Sequence, residues 1–148
     1  MKTFTLSIVT PGRKLLEEKV VSATLPTEAG EVTILSDHIP YIASLKPGEA
    51  VVRNTKGEER HMVILGGFAE FHGGELSILA DAAEHAHEVD IEQAEAAVRF
   101  AEEIRLQKGE ASREDQEAAA AALERAWAKL RIGRKHRTHR GIHPETSE

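Results

Sequence analysis

The chain is expected to fold as an all-β sandwich over residues 1–88, followed by an antiparallel α-helical hairpin over 89–132 and a basic, disordered tail over 133–148. Three observations predict this. Short apolar runs broken by Pro and Gly recur up to Ala80, with the spacing of a sandwich or barrel. At Asp90 the apolar period lengthens from two to that of a helix. Beyond Arg131 no period survives, and a polar, charged segment of that kind has little to bury.

The strands follow in order. Residues from Thr3 to Ile8 alternate polar and apolar, the mark of a half-buried strand. Pro11-Gly12 turns the chain into a short strand at Leu15-Leu16. Val20 to Leu25 reads as the next strand, and Pro26 and Gly30 are expected to bracket a tight reversal into Glu31–Leu35. Ser36-Asp37-His38-Ile39-Pro40 then closes that strand. Tyr41 to Leu45 is expected to stop at Pro47-Gly48, with Ala50–Val52 continuing to a turn at Asn54–Gly57. Glu59–Leu65 is expected to break at Gly66-Gly67, resume over Phe68–His72, turn at Gly73-Gly74 and end in the alternation of Leu76, Ile78 and Ala80.

Asp90 is placed as an N-cap, with Gln93 completing a capping box. The apolar stripe of this helix is Ile91, Ala94, Ala97, Val98, Ala101 and Ile104, and Lys108-Gly109 stops it. Ser112 caps a second helix whose stripe is Gln116, Ala119, Ala120, Leu123, Ala126, Trp127 and Leu130, ending at Ile132-Gly133. A short connection makes the pair antiparallel. Its inner face is rich in alanine (Ala118 to Ala122), so it buries little and is expected to be loosely held.

Composition narrows the function. Hydrophobic residues make up 41% and aromatics only 4%, so the core rests on Val, Ile, Leu and Ala. The absence of cysteine excludes disulfides and thiolate chemistry and fits a reducing cytoplasm. Eight cationic against thirteen acidic side chains over residues 1–89 leave a net −5, and residues 131–148 carry five against two, a net +3. An acidic body argues against nucleic acid as a partner. No apolar run approaches the ~20 residues of a membrane span. No secretory leader is read at the start, so membrane association is expected only through a partner.

The chemistry-bearing residues do not assemble into a reaction centre. Ser36, Asp37 and His38 are the types of a catalytic triad, but consecutive residues splay around a turn. His85 and His87, and His136, His139 and His143, lack the fixed carboxylates of a metal site. Gly66-Gly67 and Gly73-Gly74 are strand breakers, with no helix or P-loop lysine after them. No catalytic and no metal-binding residue is therefore assigned, and the chain reads as an interaction protein.

A series of residues then resembles the epsilon-subunit family of bacterial F-type ATP synthases (delta in mitochondrial naming). It comprises Leu25-Pro26, Gly30-Glu31, Ile34-Leu35, His38-Ile39-Pro40, Leu45-Lys46-Pro47-Gly48, Gly66-Gly67-Phe68 and Leu76–Asp81, then an alanine-rich hairpin ending Ala126–Arg131. The resemblance implies a non-catalytic central-stalk subunit at the cytoplasmic face of the cell membrane, peripheral and part of a complex. In that family the β domain packs on the gamma subunit and meets the ring of c subunits. The helices move, reaching the alpha and beta subunits of the catalytic head when extended and then inhibiting ATP hydrolysis. On that pattern Glu31, His38, Ile39 and Pro40 are assigned to the gamma and ring contacts, and Arg113, Arg125, Lys129 and Arg131 to inhibitory contacts with acidic surfaces.

Three departures stand out. Thr27-Glu28 and Ser36-Asp37 replace the more usual glycine or Pro-Gly in the loops. Some members bind ATP through an Asp-x-x-Arg-Ala motif opening the second helix, where this chain has Asp115-Gln116-Glu117-Ala118-Ala119. The arginine is missing, so no cofactor is expected and any ATP binding through Asp115 and Arg125 should be weak. The basic segment from Gly133 onward has no counterpart in the pattern. The competing readings are a free-standing β-sandwich binding module with a helical lid, and a hydrolase using His38 or His61 as base.

Overall fold

The computed structural model describes residues 2–107 and 112–140. Seven strands come first: β1 (Phe4–Val9), β2 (Lys14–Thr27), β3 (Gly30–Leu35), β4 (Tyr41–Asn54), β5 (Glu59–His72), β6 (Glu75–Ala80) and β7 (Ala83–His85). A 3-10 turn (Ala86–Glu88) leads to α1 (Ile91–Gln107) and α2 (Arg113–Arg140). The chain divides into two units between His85 and Ala86, three residues earlier than expected, because the 3-10 turn belongs with the helices.

In the β unit the strand order is β1-β6-β5-β4-β2-β3, and β1 also pairs with β2, closing the sheet on itself. Only β1 and β6 run parallel among the pairings. Alternation puts Leu6, Ile8, Val20, Leu25, Ile34, Ile64, Leu76 and Ile78 inside, fully buried. Phe4 and Phe71 meet edge to face at 5.6 Å.

Four expected breaks are corrected. Leu15-Leu16 and Val20–Leu25 form one 14-residue strand, β2. Pro26 lies inside it, opposite Glu31, and the reversal is Thr27–Gly30 alone. Pro47-Gly48 does not stop β4, because the β2–β4 ladder slips between Thr24 and Thr27, and Pro47 falls where that ladder needs no donor. Gly66 and Gly67 do not break β5 either. Their φ of 101° and 129° bends the strand, which pairs with β7 before the bend and with β6 after it. At Gly67 a Cβ would stand 2.1 Å from the carbonyl oxygen of Leu79, so only glycine fits.

In the helical unit both N-cap bonds form. The Gln93 N–H donates to Asp90 Oδ1 (3.1 Å), and the Asp115 N–H donates to Ser112 Oγ (3.2 Å). Ala94, Val98 and Leu130 make the small core, with Val89, Ile91, Leu123 and Ala126 against it. Ala97, Gln116, Ala120 and Trp127, expected on the inner stripes, are exposed. The largest correction concerns the tail. The second helix does not stop at Ile132-Gly133 but runs to Arg140, so residues 133–140 are helical rather than disordered. Gly133 is buried in that helix, and the cations Arg134, Lys135 and Arg137 fall toward its C-terminal end, where the helix dipole favours them. The expected stop at Lys108-Gly109 and the disorder of 141–148 lie outside the described residues.

Candidate interaction surfaces

The six-residue strand β3 separates two of the assigned contacts. Glu31 is exposed beside the Thr27–Gly30 turn, whereas His38, Ile39 and Pro40 follow the strand's other end. At about 3.3 Å per residue, Glu31 lies roughly 13 Å along the strand from Leu35, where the turn to His38 begins. The structure therefore does not bring Glu31 together with His38-Ile39-Pro40. It does hold the latter three as one unit. The His38 N–H donates to the carbonyl of Leu35 (3.0 Å), and Nδ1 lies 2.8 Å from the carbonyl oxygen of Ile39. A carbonyl only accepts, so Nδ1 carries the proton there. The ring packs edge-on against Tyr41 (5.3 Å) and Phe71 (6.0 Å), which leaves Ile39 73% exposed at the tip. His38 is thus a strut under an apolar tip. With Nδ1 held by Ile39, it is not oriented by Asp37 as a triad histidine would be.

A second surface escaped the reading of the residues. Leu79 on β6 stands opposite Val9 of β1 and Phe68 of β5, and all three point away from the core. Phe68 is 59% and Leu79 60% exposed. Ile42, opposite Glu70 on β5 and diagonal to Phe68, extends the row at 71% exposure. The signal was phase. Leu76, Ile78 and Ala80 take the inward positions of β6, so Leu79 must point out, as must Phe68 next to buried Ala69.

Elsewhere the β unit carries cross-strand ion pairs. Arg53 Nη2 donates to Glu59 Oε1 (2.6 Å), and this bond holds the Glu59 carboxyl below its usual range. Glu18 accepts from Arg60 Nε (2.8 Å) and raises the guanidinium's proton affinity. His61 lies 2.6 Å from Glu49 Oε1 and 3.3 Å from Glu59 Oε2. So His61 has the carboxylate neighbours that a base would want, built as sheet-surface pairs.

Along α2 the assigned cations do not share one face. At about 100° per residue, Arg125 and Lys129 lie on one side, with Arg113 and Arg131 roughly 120° round from Arg125. Arg113 pairs with Glu117 one turn on (3.3 Å). Asp115 and Arg125, assigned to nucleotide, are about 15 Å apart along the axis and are not brought together. A cavity of about 290 Å³ in this unit is lined instead by Ala86, His87, Val89, Asp90, Ile91, Glu92, Gly133, His136 and Arg137. His87 also faces Glu88 at 3.8 Å, and the side chains of His139 and His143 lie outside the described residues. No helix among the described residues is long and apolar enough to cross a membrane.

Comparison with known proteins gives these surfaces a setting. Residues 3–86 match the family model described as ATP synthase, Delta/Epsilon chain, beta-sandwich domain. The chain is 38% identical to the ATP synthase epsilon chain of Caldanaerobacter subterraneus, over 91% of its own length and 96% of the relative's. It is 33% identical to a sodium ion specific ATP synthase epsilon chain of Propionigenium modestum, covering 94% of this chain and 99% of the other. Among solved structures, a chain of the Euglena gracilis mitochondrial ATP synthase superposes with a TM-score of 0.74 at 23% identity, over 94% of this chain and 83% of that one. A chain from the central stalk and c-ring of the Tetrahymena thermophila mitochondrial ATP synthase gives 0.60 at 18%, over 89% and 94%. At such identities the two structures speak to the fold, while the sequence relatives and the family model speak to descent. This chain belongs to the delta/epsilon family of ATP synthase subunits and is a non-catalytic component of that complex.

Proposed function

We propose that the chain is the central-stalk subunit that couples a proton-driven rotor ring to ATP synthesis and restrains ATP hydrolysis through its helices. The single observation that carries the docking part is the outward row of Val9, Leu79, Phe68 and Ile42. The β unit closes its sheet and fills its core without them, so this apolar area stabilises nothing within the sheet's own core. In this reading the row, with the tip at His38-Ile39-Pro40, seats on the gamma subunit, and Glu31 at the other end of β3 meets the c-ring. The site is then peripheral to the cytoplasmic face of the membrane.

The restraint of hydrolysis rests on the helical unit. Its core of Ala94, Val98 and Leu130 is small enough to be exchanged for contacts elsewhere. Extended along the alpha and beta subunits, α2 would offer Arg113, Arg125, Lys129 and Arg131 to acidic surfaces. The test compares two head complexes, one with the full chain and one with a chain ending at Val89. The shortened form should retain gamma and hydrolyse ATP faster. Equal rates would remove the restraint, and failure of the full chain to co-purify with gamma would remove the stalk assignment. Proton coupling is tested by ATP synthesis in vesicles driven by a proton gradient against a sodium gradient. Titration with MgATP should give weak binding or none.

A further inference from the structure

We infer that Gly133 is the clasp of the helical hairpin: its bare backbone receives Val89 and Ile91, and any side chain there would drive the closed hairpin open. Twenty helical residues precede it in α2 and seven follow, so it stands in a helix interior, where glycine is disfavoured against alanine. Yet it is buried, and the space for a side chain is already taken. A Cβ at this position would lie 2.6 Å from Val89 Cγ1, 2.9 Å from Ile91 Cδ1 and 3.0 Å from Val89 Cβ. These are overlaps that packed carbon atoms do not tolerate.

The opposing segment cannot simply retreat. The Val89 N–H is tied to the carbonyl of Ala86 (3.4 Å), and Asp90 between the two intruding residues caps α1 through both its side chain and its carbonyl, the latter accepting from the Ala94 N–H (2.9 Å). One residue past the glycine, Arg134 Nη2 reaches Glu95 Oε1 across the helices (3.2 Å). Glycine and ion pair together close the end of the hairpin where α1 begins. Toward the other end, the buried side chains among the described residues are the small ones of Ala101 and Ala119. A methyl group at 133 therefore acts twice in one direction. It wedges α1 off α2, and it makes α2 a better helix once separated.

This deepens the proposed restraint of hydrolysis and rests on that reading for its consequence, but not for its test. The chain has no cysteine, so a pair of spin labels can be placed cleanly on exposed positions of the two helices, by Ala96→Cys and Arg131→Cys in the full chain. In the parent the interlabel distances should form one short population. With Gly133→Ala a longer population should appear in more than about a tenth of the molecules, beyond the usual range of a minor state. With Gly133→Leu it should dominate. Adding Val89→Ala and Ile91→Val to Gly133→Ala removes the two methyls that collide first and should return the short population. Hydrogen exchange of β5 amides, unchanged throughout, shows that the β unit stays folded.

An unchanged short distance in Gly133→Ala and Gly133→Leu overturns the clasp, as does a long population that the added truncations do not reverse. The head complex carrying Gly133→Ala should hydrolyse ATP several-fold more slowly. If the labels separate while hydrolysis stays the same, the clasp stands and the restraint of hydrolysis falls.

Discussion

The β unit and the helical hairpin are built from different side chains and hold together to different degrees. In the β unit, branched and aromatic groups from six strands interlock inside a sheet closed on itself: Ile8, Ile34, Ile64 and Ile78 are wholly buried, with Phe4 on Phe71. In the hairpin the core is two alanine-lined helices joined by Val98 and Leu130, with Ala94 between them. Burial of a branched side chain is worth roughly 1.5–3 kcal/mol and that of an alanine far less. The first unit thus suits a fixed anchor. The second suits an element that can exchange its partners at modest cost.

That contrast can be broken most severely inside the sheet. Ile64→Ala or Leu76→Ala should cost about 2–5 kcal/mol and shift the whole urea transition of the β unit. Leu130→Ala should cost less, about 2–3 kcal/mol, and the loss should show in hydrogen exchange of α1 and α2 while β5 amides stay protected. If both substitutions lowered one common transition equally, the two units would not be separable. On the outward row the split reverses. Phe68→Ala with Leu79→Ala should leave stability within about 0.5 kcal/mol, while binding to gamma weakens at least tenfold, as measured by calorimetric titration.

Smaller effects sharpen the picture. Ser112→Ala removes the cap of α2 and should cost about 1 kcal/mol, read as fraying of the first turn of that helix alone. The smallest concerns pH. The Glu59 carboxyl is held low by its hydrogen bond from Arg53, so its contribution is present at neutral pH. It fades as pH falls through the lowered value, because the unfolded chain then binds the proton more readily. The stability difference between the parent and Arg53→Gln, small because Glu59 is exposed, should close as the pH falls below the usual carboxylate range and not on raising the pH.

Local chemistry made much of this readable. Alternation located every core position of β1 and β6, and Asp90 and Ser112 announced the helix starts because capping is a contact within one turn. Prolines and glycines misled where their role was tertiary. Pro47 and Gly66-Gly67 look like stops in a one-dimensional reading, yet Pro47 sits where the ladder of β4 with β2 slips its register, and Gly66-Gly67 is the bend by which β5 passes from β7 to β6. The assigned contact residues are likewise grouped only where they are close along the chain. His38, Ile39 and Pro40 are neighbours in sequence and in space, whereas Glu31 lies a strand's length away.

The sequence by itself determined the change from strand to helix near Asp90, the caps, the alanine-rich face of the hairpin and the family, since each depends on spacing and order along the chain. Only the tertiary structure decided that Leu79 and Phe68 lie side by side across two strands, and that α2 continues through Gly133 to Arg140. Pairing register and the packing of Val89 and Ile91 onto a bare helical backbone are contacts between residues far apart in the chain, and no local pattern encodes a distance of that kind.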